Sequence, residues 1–214
     1  MENLRDKNLA EISLIAKELG LPGYKGRDLF RFVHHLGKEA IEQLTTLSSA
    51  ERDNLKASYY LAKTKPLKME SDKGVKKAAF QLDDGKVIEG VMMDYEGERR
   101  TICLSSQVGC PIGCLYCATG KMGFGRNLTV GEILEQVYCF AKTGKVTHVV
   151  FMGMGEPFLN YDNVLKTARI LNDPLGQNIA ARKIVFSTIG IVRGINRLSM
   201  EPEQFRLAWS LVAQ

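Results

Sequence analysis

Apolar residues recur at helical spacing near the start of the chain, with Leu9, Ile12, Ile15, Ala16 and Leu19 on one side of a segment over residues 3–20. Gly20 and Pro22 end that run. The same period returns from Asp28 to Leu36, placing Leu29, Phe32, Val33 and Leu36 inward. Ser48-Ser49-Ala50-Glu51 has the spacing of a capping box and opens a third helix to about Leu61. Residues 1–62 therefore read as a small helical domain with a meagre core of its own. The pattern then shifts to alternation. Ala78–Leu82 and Lys86–Val91 flank Asp83-Asp84-Gly85, a hairpin signal within a basic linker over 63–98.

From residue 99 onward strands alternate with helices. Strands are predicted at Thr101–Ser105, Val146–Met152, Lys183–Ser187 and Arg206–Val212. Helices are predicted after Thr129, near Tyr161–Leu171 and around Ile191–Leu198. That order is an α/β pattern of βαβ units on a parallel sheet. Runs such as Val149-Val150-Phe151-Met152 suit strands covered on both faces. The chain stops at Gln214 directly after a strand, so residues 99–214 read as the front part of a longer barrel.

Composition adds little to this picture until the cysteines. The 214 residues are 45% hydrophobic and 25% charged, values of a globular protein and not of a fibrous or disordered one. A net charge of +5 tilts the partner toward an anion. The lysines between 63 and 77 read either as a solvated face or as phosphate contacts. No apolar run reaches the roughly 20 residues of a membrane span, and Met1–Lys7 carries mixed charge with no leader-like core, so the expectation is a cytoplasmic protein without membrane contact.

Three of the five cysteines, Cys110, Cys114 and Cys117, form a C-x3-C-x2-C loop. In a reducing compartment such clustering points to metal or catalysis rather than disulfides. Three thiolates can hold three corners of a [4Fe–4S] cluster, which normally takes four, and the fourth iron is left open to a reacting ligand. The competing site is structural zinc, which needs four protein ligands. His148 or Cys139 would have to supply the fourth, and neither has paired-ligand spacing, so iron–sulfur is favoured.

The loop, with an aromatic residue before its last cysteine, resembles that of the radical S-adenosylmethionine (SAM) enzymes. The longer string narrows the resemblance to the RlmN/Cfr family of RNA adenine-C2 methyltransferases. It comprises Cys103-Leu104-Ser105-Ser106-Gln107-Val108-Gly109-Cys110, Cys117-Ala118-Thr119-Gly120, Gly123-Phe124 and Arg126-Asn127-Leu128-Thr129. Tyr24-Lys25-Gly26-Arg27, the Ser71–Lys77 segment, Asp84-Gly85 and Ile88-Glu89 match upstream. Phe151–Pro157, Asn160-Tyr161, Ser187-Thr188 and Gly190-Ile191-Val192 match downstream.

The resemblance implies a partial radical SAM (βα) barrel behind an RNA-contacting helical domain. It implies a [4Fe–4S] cluster on Cys110, Cys114 and Cys117 whose open iron chelates SAM, giving a 5′-deoxyadenosyl radical. Gly155 and Glu156 at a strand end, Ser187, and the strand end Ser210-Leu211-Val212 match the family's other cofactor contacts. Cys103 matches the cysteine that helps remove the C2 proton and resolve an RNA adduct, and Glu89 matches the proton acceptor. On spacing alone, Cys103 reads as a core thiol and Glu89 as a solvated hairpin carboxylate. The implied partners are 23S rRNA and tRNA, presenting one exposed base, and an electron donor such as flavodoxin; a monomer is expected.

Two departures follow. The family's strand-end motif is Ser-Leu-His where this sequence has Ser210-Leu211-Val212, and family members run longer, with a late cysteine that carries the methyl group. Two readings result, a radical SAM RNA methyltransferase and a truncated, non-methylating cluster- or RNA-binding remnant. Cys139 reads as packing, His34-His35 as helix-surface residues, and Tyr59-Tyr60 as packing rather than base stacking.

Overall fold

The computed structural model describes residues 1–211, and its contacts divide into two units. Unit 1 comprises residues 1–63 with 169–178; unit 2 comprises 64–168 and the residues from 179 onward. The Val212 expectation lies outside the described residues.

In unit 1, strand β1 (Glu2–Asn3) leads to helix α1 (Leu9–Glu18), then α2 (Gly23–His34), α3 (Ser49–Ser58) and β2 (Tyr59–Tyr60), which pairs in parallel with β1. The helix predicted from residue 3 begins at Leu9 because Asn8 and Glu11 form a capping box, each side chain bonding the other's backbone N–H. The second helix starts earlier than Asp28. Pro22, read as a terminator, is also its N-cap. Leu36 lies past the helix end and is exposed, not inward. The third helix follows its predicted capping box at Ser48 and Glu51, and its acid also meets Lys25 Nζ at 2.6 Å.

His34 corrects the surface reading of the histidine pair. It is fully buried, its ring 4.6 Å from that of Phe30, with Nε2 2.9 Å from the Lys7 carbonyl oxygen. His35 Nδ1 lies 2.7 Å from the carbonyl oxygen of Gly176. The most telling buried cation is Arg5, 1% exposed, whose guanidinium donates to the carbonyl oxygens of Ala62 (3.2 Å), Val33 (3.1 Å) and Lys38 (3.0 Å). One planar group thus ties the C-terminal turn of α2, the loop after it and the segment after β2, as an arginine fork can and an ammonium cannot. Arg5→Met is expected to cost about 3 kcal/mol, because three carbonyls lose their donor in a dry setting. Urea denaturation checks this, and a loss below about 1 kcal/mol would contradict it.

Unit 2 is built on one seven-stranded sheet whose strands follow one another, edge to edge, as Arg206–Trp209, Ile184–Thr188, His148–Phe151, Arg100–Cys103, Val87–Asp94, Val75–Gln81 and Lys65–Asp72. The antiparallel side is β3 (Lys65–Asp72), β4 (Val75–Gln81), β5 (Val87–Asp94) and β6 (Arg100–Cys103). After β6 the chain makes a separate antiparallel ribbon, β7 (Gln107–Gly109) with β8 (Phe124–Asn127), and the short helix α4 (Ala118–Lys121) lies between its strands. Helix α5 (Val130–Ala141), capped by Thr129 and Glu132, leads to β9 (His148–Phe151). Then come α6 (Tyr161–Asn172), β10 (Ile184–Thr188), α7 (Val192–Ser199) and β11 (Arg206–Trp209). Strands β6, β9, β10 and β11 pair in parallel, as the βαβ rhythm requires. The predicted hairpin does not stand apart as a linker: β5 pairs with β6 and joins it to the parallel strands. Among the described residues the sheet is open rather than a closed barrel.

Register assigns the two faces. Phe80, Ile88, Met92, Ile102, Val149, Phe151, Ile184 and Phe186 are all 1% exposed or less and lie on the face covered by helices. Phe140 of α5 meets Phe80 edge-on at 5.9 Å, and Phe158 meets Phe186 at 6.2 Å. Each such side chain contributes roughly 1.5–3 kcal/mol of burial. Glu89, Val91, Cys103, Val150, Val185 and Ser187 alternate onto the other face and are half-buried or exposed. The expectation of strands covered on both faces is thus met on one face only. No helix among the described residues is long and apolar enough to cross a membrane.

Candidate functional site

The loop between β7 and β8 carries the three clustered cysteines, and its ends are held together by the ribbon: Gln107 pairs with Asn127 and Val108 with Arg126. The Cys110 N–H donates to the Gly123 carbonyl at 3.0 Å, and the Cys117 N–H donates to that of Cys114 at 3.0 Å. Arg126 anchors the return strand. Its guanidinium grips both oxygens of Glu132 at 2.7 Å and Asp84 of the hairpin turn at 2.8 Å. The Arg126 charge holds the Asp84 carboxyl far below the usual carboxylate range, with the Lys86 backbone N–H adding to the effect.

Cys110, Cys114 and Cys117 line one cavity of about 260 Å³ with Gly155, Glu156, Ser187 and Ser210. Seven of the candidate residues, distributed over the sulfur loop and the ends of β9, β10 and β11, therefore converge. Ser187 Oγ and Ser210 Oγ are 3.2 Å apart. Leu211 is exposed and does not line the cavity. Burial pushes the Cys110 thiol above its ordinary value, and the neighbouring Cys114, Cys117 and Glu156 push it further. Three thiols and a carboxylate gathered there would repel one another once ionised, which is a setting that favours a bound cation.

The donor set discriminates between metals. Among the described residues no three Cys, His, Asp or Glu side chains are set to hold a single metal ion. One zinc ion would need its sulfurs within about 4 Å of each other. Three thiolates on one loop match three corners of a multi-iron cluster and leave the fourth iron open to a ligand. The supplementary zinc ligands fail as well. His148 begins β9 whereas the cavity meets that strand's far end at Phe151 and Met152, and Cys139 lies on α5. The residues present fit a [4Fe–4S] cluster.

Glu156 is 4% exposed, and both oxygens already accept backbone hydrogen bonds, from Phe158 N–H at 3.0 Å and Ile189 N–H at 3.1 Å. Its carboxylate thus ties the β9 and β10 strand-end loops together besides facing the cavity. Cys103 and Glu89 stand apart from the cavity wall, on the open face of the sheet. Cys103 pairs with Val91, two residues along β5 from Glu89, so the two side chains share that face. Glu89 meets Lys77 Nζ at 2.7 Å, and its carbonyl accepts from Ser105 Oγ at 2.5 Å.

Burial raises the Cys103 thiol above its ordinary value, partly offset by a backbone hydrogen bond involving Met152. Cys103 therefore keeps its proton at neutral pH. Its alkylation by iodoacetamide in the metal-free chain is expected to stay slow through pH 8 and to climb only at higher pH, read by peptide mass mapping. A fast, pH-independent rate near neutrality would contradict this.

Sequence reading missed the polar groups beneath the loop: Ser105, Gln107, Asn127 and Asn160. Asn160 Nδ2 donates to the carbonyls of Ser106 and Leu128, both at 2.8 Å, and Ser105 Oγ accepts from Met154 N–H at 2.8 Å. The signal available was a Ser-Ser-Gln run at the end of an apolar strand, where buried polar side chains must find partners. It also missed Ile112, Tyr116, Thr119, Met152, Thr188 and Ile189 of the cavity wall.

Known proteins resemble this chain in sequence and fold. The profile of the Radical SAM superfamily matches residues 104–207. The chain is 40% identical to the "Probable dual-specificity RNA methyltransferase RlmN" of Desulfitobacterium hafniense strain Y51, over 97% of this chain and 61% of that protein. It is 41% identical to the protein of the same name from Thermotoga neapolitana, over 100% of this chain and 63% of that one. A crystal structure of a radical SAM methyltransferase from Sphaerobacter thermophilus superposes with a TM-score of 0.91 at 38% identity, covering 99% of this chain and 64% of that chain. The chain thus spans about three-fifths of the length of these relatives. The cofactors of this superfamily are a [4Fe–4S] cluster and SAM. With three thiols on one loop beside a strand-end cleft, and this likeness along its whole length, the chain belongs to the radical SAM superfamily, on its RlmN branch.

Proposed function

We propose that this chain is the cluster- and SAM-binding part of an RNA methyltransferase acting at C2 of an adenine in 23S rRNA and tRNA. The observation that carries the reading is the convergence of Cys110, Cys114 and Cys117 with Gly155, Glu156, Ser187 and Ser210 on one cavity. In this reading the three thiolates hold the cluster and the strand ends hold SAM, with Leu211 beside them. When bound, the pair supplies one-electron reductive cleavage of a sulfonium. The open sheet face beside the cavity carries Cys103 as a protonated thiol and Glu89 as the carboxylate that accepts a proton from the base. An adenine edge reaches that face once the base is exposed from its RNA. RNA-contacting roles for the helical unit and the basic 63–77 stretch, a flavodoxin-type reductant, a monomeric state and a cytoplasmic setting belong to the same reading.

The second reading, a cluster- or RNA-binding chain that does not itself methylate, draws on the 61% of the Desulfitobacterium relative's length that is spanned. Anaerobic reconstitution with iron and sulfide, then incubation with SAM, a chemical reductant and 23S rRNA or tRNA, separates the two. Methylated adenine in RNA digests supports the first. Iron or RNA binding with neither 5′-deoxyadenosine nor RNA methylation supports the second. A chain that binds neither iron nor RNA overturns both.

A further inference from the structure

One buried side chain joins the base of the sulfur loop to the turn that faces the cavity. Gln107 is 1% exposed and sits on β7, shortly before Cys110. Its Oε1 accepts from the Glu156 N–H at 2.9 Å, and its Nε2 donates to Asn127 Oδ1 at 2.7 Å. Its own backbone N–H donates to the Met154 carbonyl at 3.1 Å. Gly155 lies directly against it. A Cβ at Gly155, where φ is +96°, would fall 2.5 Å from the Gln107 Cβ, so turn and side chain are in closest packing. The chain of bonds continues outward. The Glu156 carboxylate accepts from Ile189 N–H at 3.1 Å, and the Ile189 carbonyl accepts from the Trp209 indole at 3.3 Å.

We propose that Gln107 is a positioning residue for SAM, holding the Gly155–Glu156 turn at the separation from the sulfur loop that lets one ligand touch both. This rests on the reading of the cavity as the SAM site. The chemistry selects the amide. A primary amide accepts from one neighbour and donates to another at once, which the Glu156 N–H and the Asn127 oxygen require together. Methionine keeps the length and neither bond. An ionised glutamate keeps the accepting bond, loses the donating one, and sets a second carboxylate beside Glu156. A protonated glutamate, with a carbonyl and an O–H, reproduces both halves of the amide.

The test compares the full chain with its Gln107→Met and Gln107→Glu variants. Iron content and visible absorption after reconstitution report the cluster, calorimetric titration reports SAM affinity, and amide exchange in the metal-free chain reports the turn. The expected result for Gln107→Met is unchanged iron, tenfold or more weaker SAM binding at every pH, and Glu156 and Ile189 amides exchanging at least tenfold faster. Gln107→Glu is expected to bind SAM as poorly at pH 8 and to regain affinity several-fold toward pH 6, as its buried carboxyl takes up a proton. That regain is a readout that simple loss of packing would not give.

Wild-type affinity in both variants overturns the proposal, as does parallel loss of iron and SAM, which would make Gln107 a folding residue of the loop. If the unaltered, iron-loaded chain binds no SAM, the reading of the cavity fails and the ligand named here with it. Exchange at Glu156 then still shows whether Gln107 holds the turn.

Discussion

Cys114→Ala is expected to leave a folded chain that takes up almost no iron on anaerobic reconstitution and shows no visible iron–sulfur absorption. The argument is one of ligand count. The loop offers three thiolates, and the described residues place no other cysteine on the cavity wall. Removing one leaves two corners held, too few to outcompete free sulfide and thiol in solution. Folding should survive because Cys114 is only half-buried in a surface loop, where a truncation costs about 0.5 kcal/mol or less. Cys139→Ala on α5 is the control and should keep its iron. Iron analysis and absorption spectra of the two variants check the assignment. A Cys114→Ala chain with a full complement, or a Cys139→Ala chain without one, would remove the ligand set on which the site is built.

How far the sequence reveals such a site depends on how local its physics is. The sulfur loop is legible because ligand spacing is written in consecutive residues. The hairpin at Asp83-Asp84-Gly85 is legible for the same reason, since turn chemistry sits within a few positions. Strand β3 is not. All its residues from Lys65 to Asp72 are exposed, so it has no buried face to create an alternation, and it exists only through its ladder with β4. Its lysines and proline are what an edge strand carries to discourage further pairing, and in sequence they look like a linker.

The histidine pair shows an intermediate case. Phe30 and His34 are one helical turn apart on the face that also buries Leu29 and Val33, so the phase of α2 contained the answer. The polar character of His34 masked it. The network around Glu156 was out of reach in another way. Its N–H acceptor, Gln107, is 49 positions away, and the donor to its carboxylate, Ile189, is 33 away. No short window holds both ends of such a bond. The sequence shows which residues could bond across loops, and only the fold shows that they do.

The residue that closes the sulfur loop gives the second large effect. Gly109 ends β7 with φ of +71°, immediately before Cys110. A Cβ built there would overlap the carbonyl oxygen of Gly123 and lie 3.0 Å from its carbonyl carbon. That same oxygen accepts the Cys110 N–H, the bond that shuts the loop. Gly109→Ala therefore meets two costs: about 1–2 kcal/mol for an L-residue in the left-handed region, and about 1–2 kcal/mol for a displaced backbone hydrogen bond. The sum of about 3 kcal/mol should appear as a lowered melting temperature, together with impaired iron uptake even where the chain is folded. Gly113→Ala supplies the comparison. Gly113 has φ of +69° with nothing within 4 Å of its would-be Cβ, so that variant bears the conformational cost alone and should still load iron. Equal, mild effects from the two substitutions would mean that the ribbon gives way to admit the methyl group. The cysteines would then owe their placement to the iron they bind, and the folded chain would not hold them ready for it.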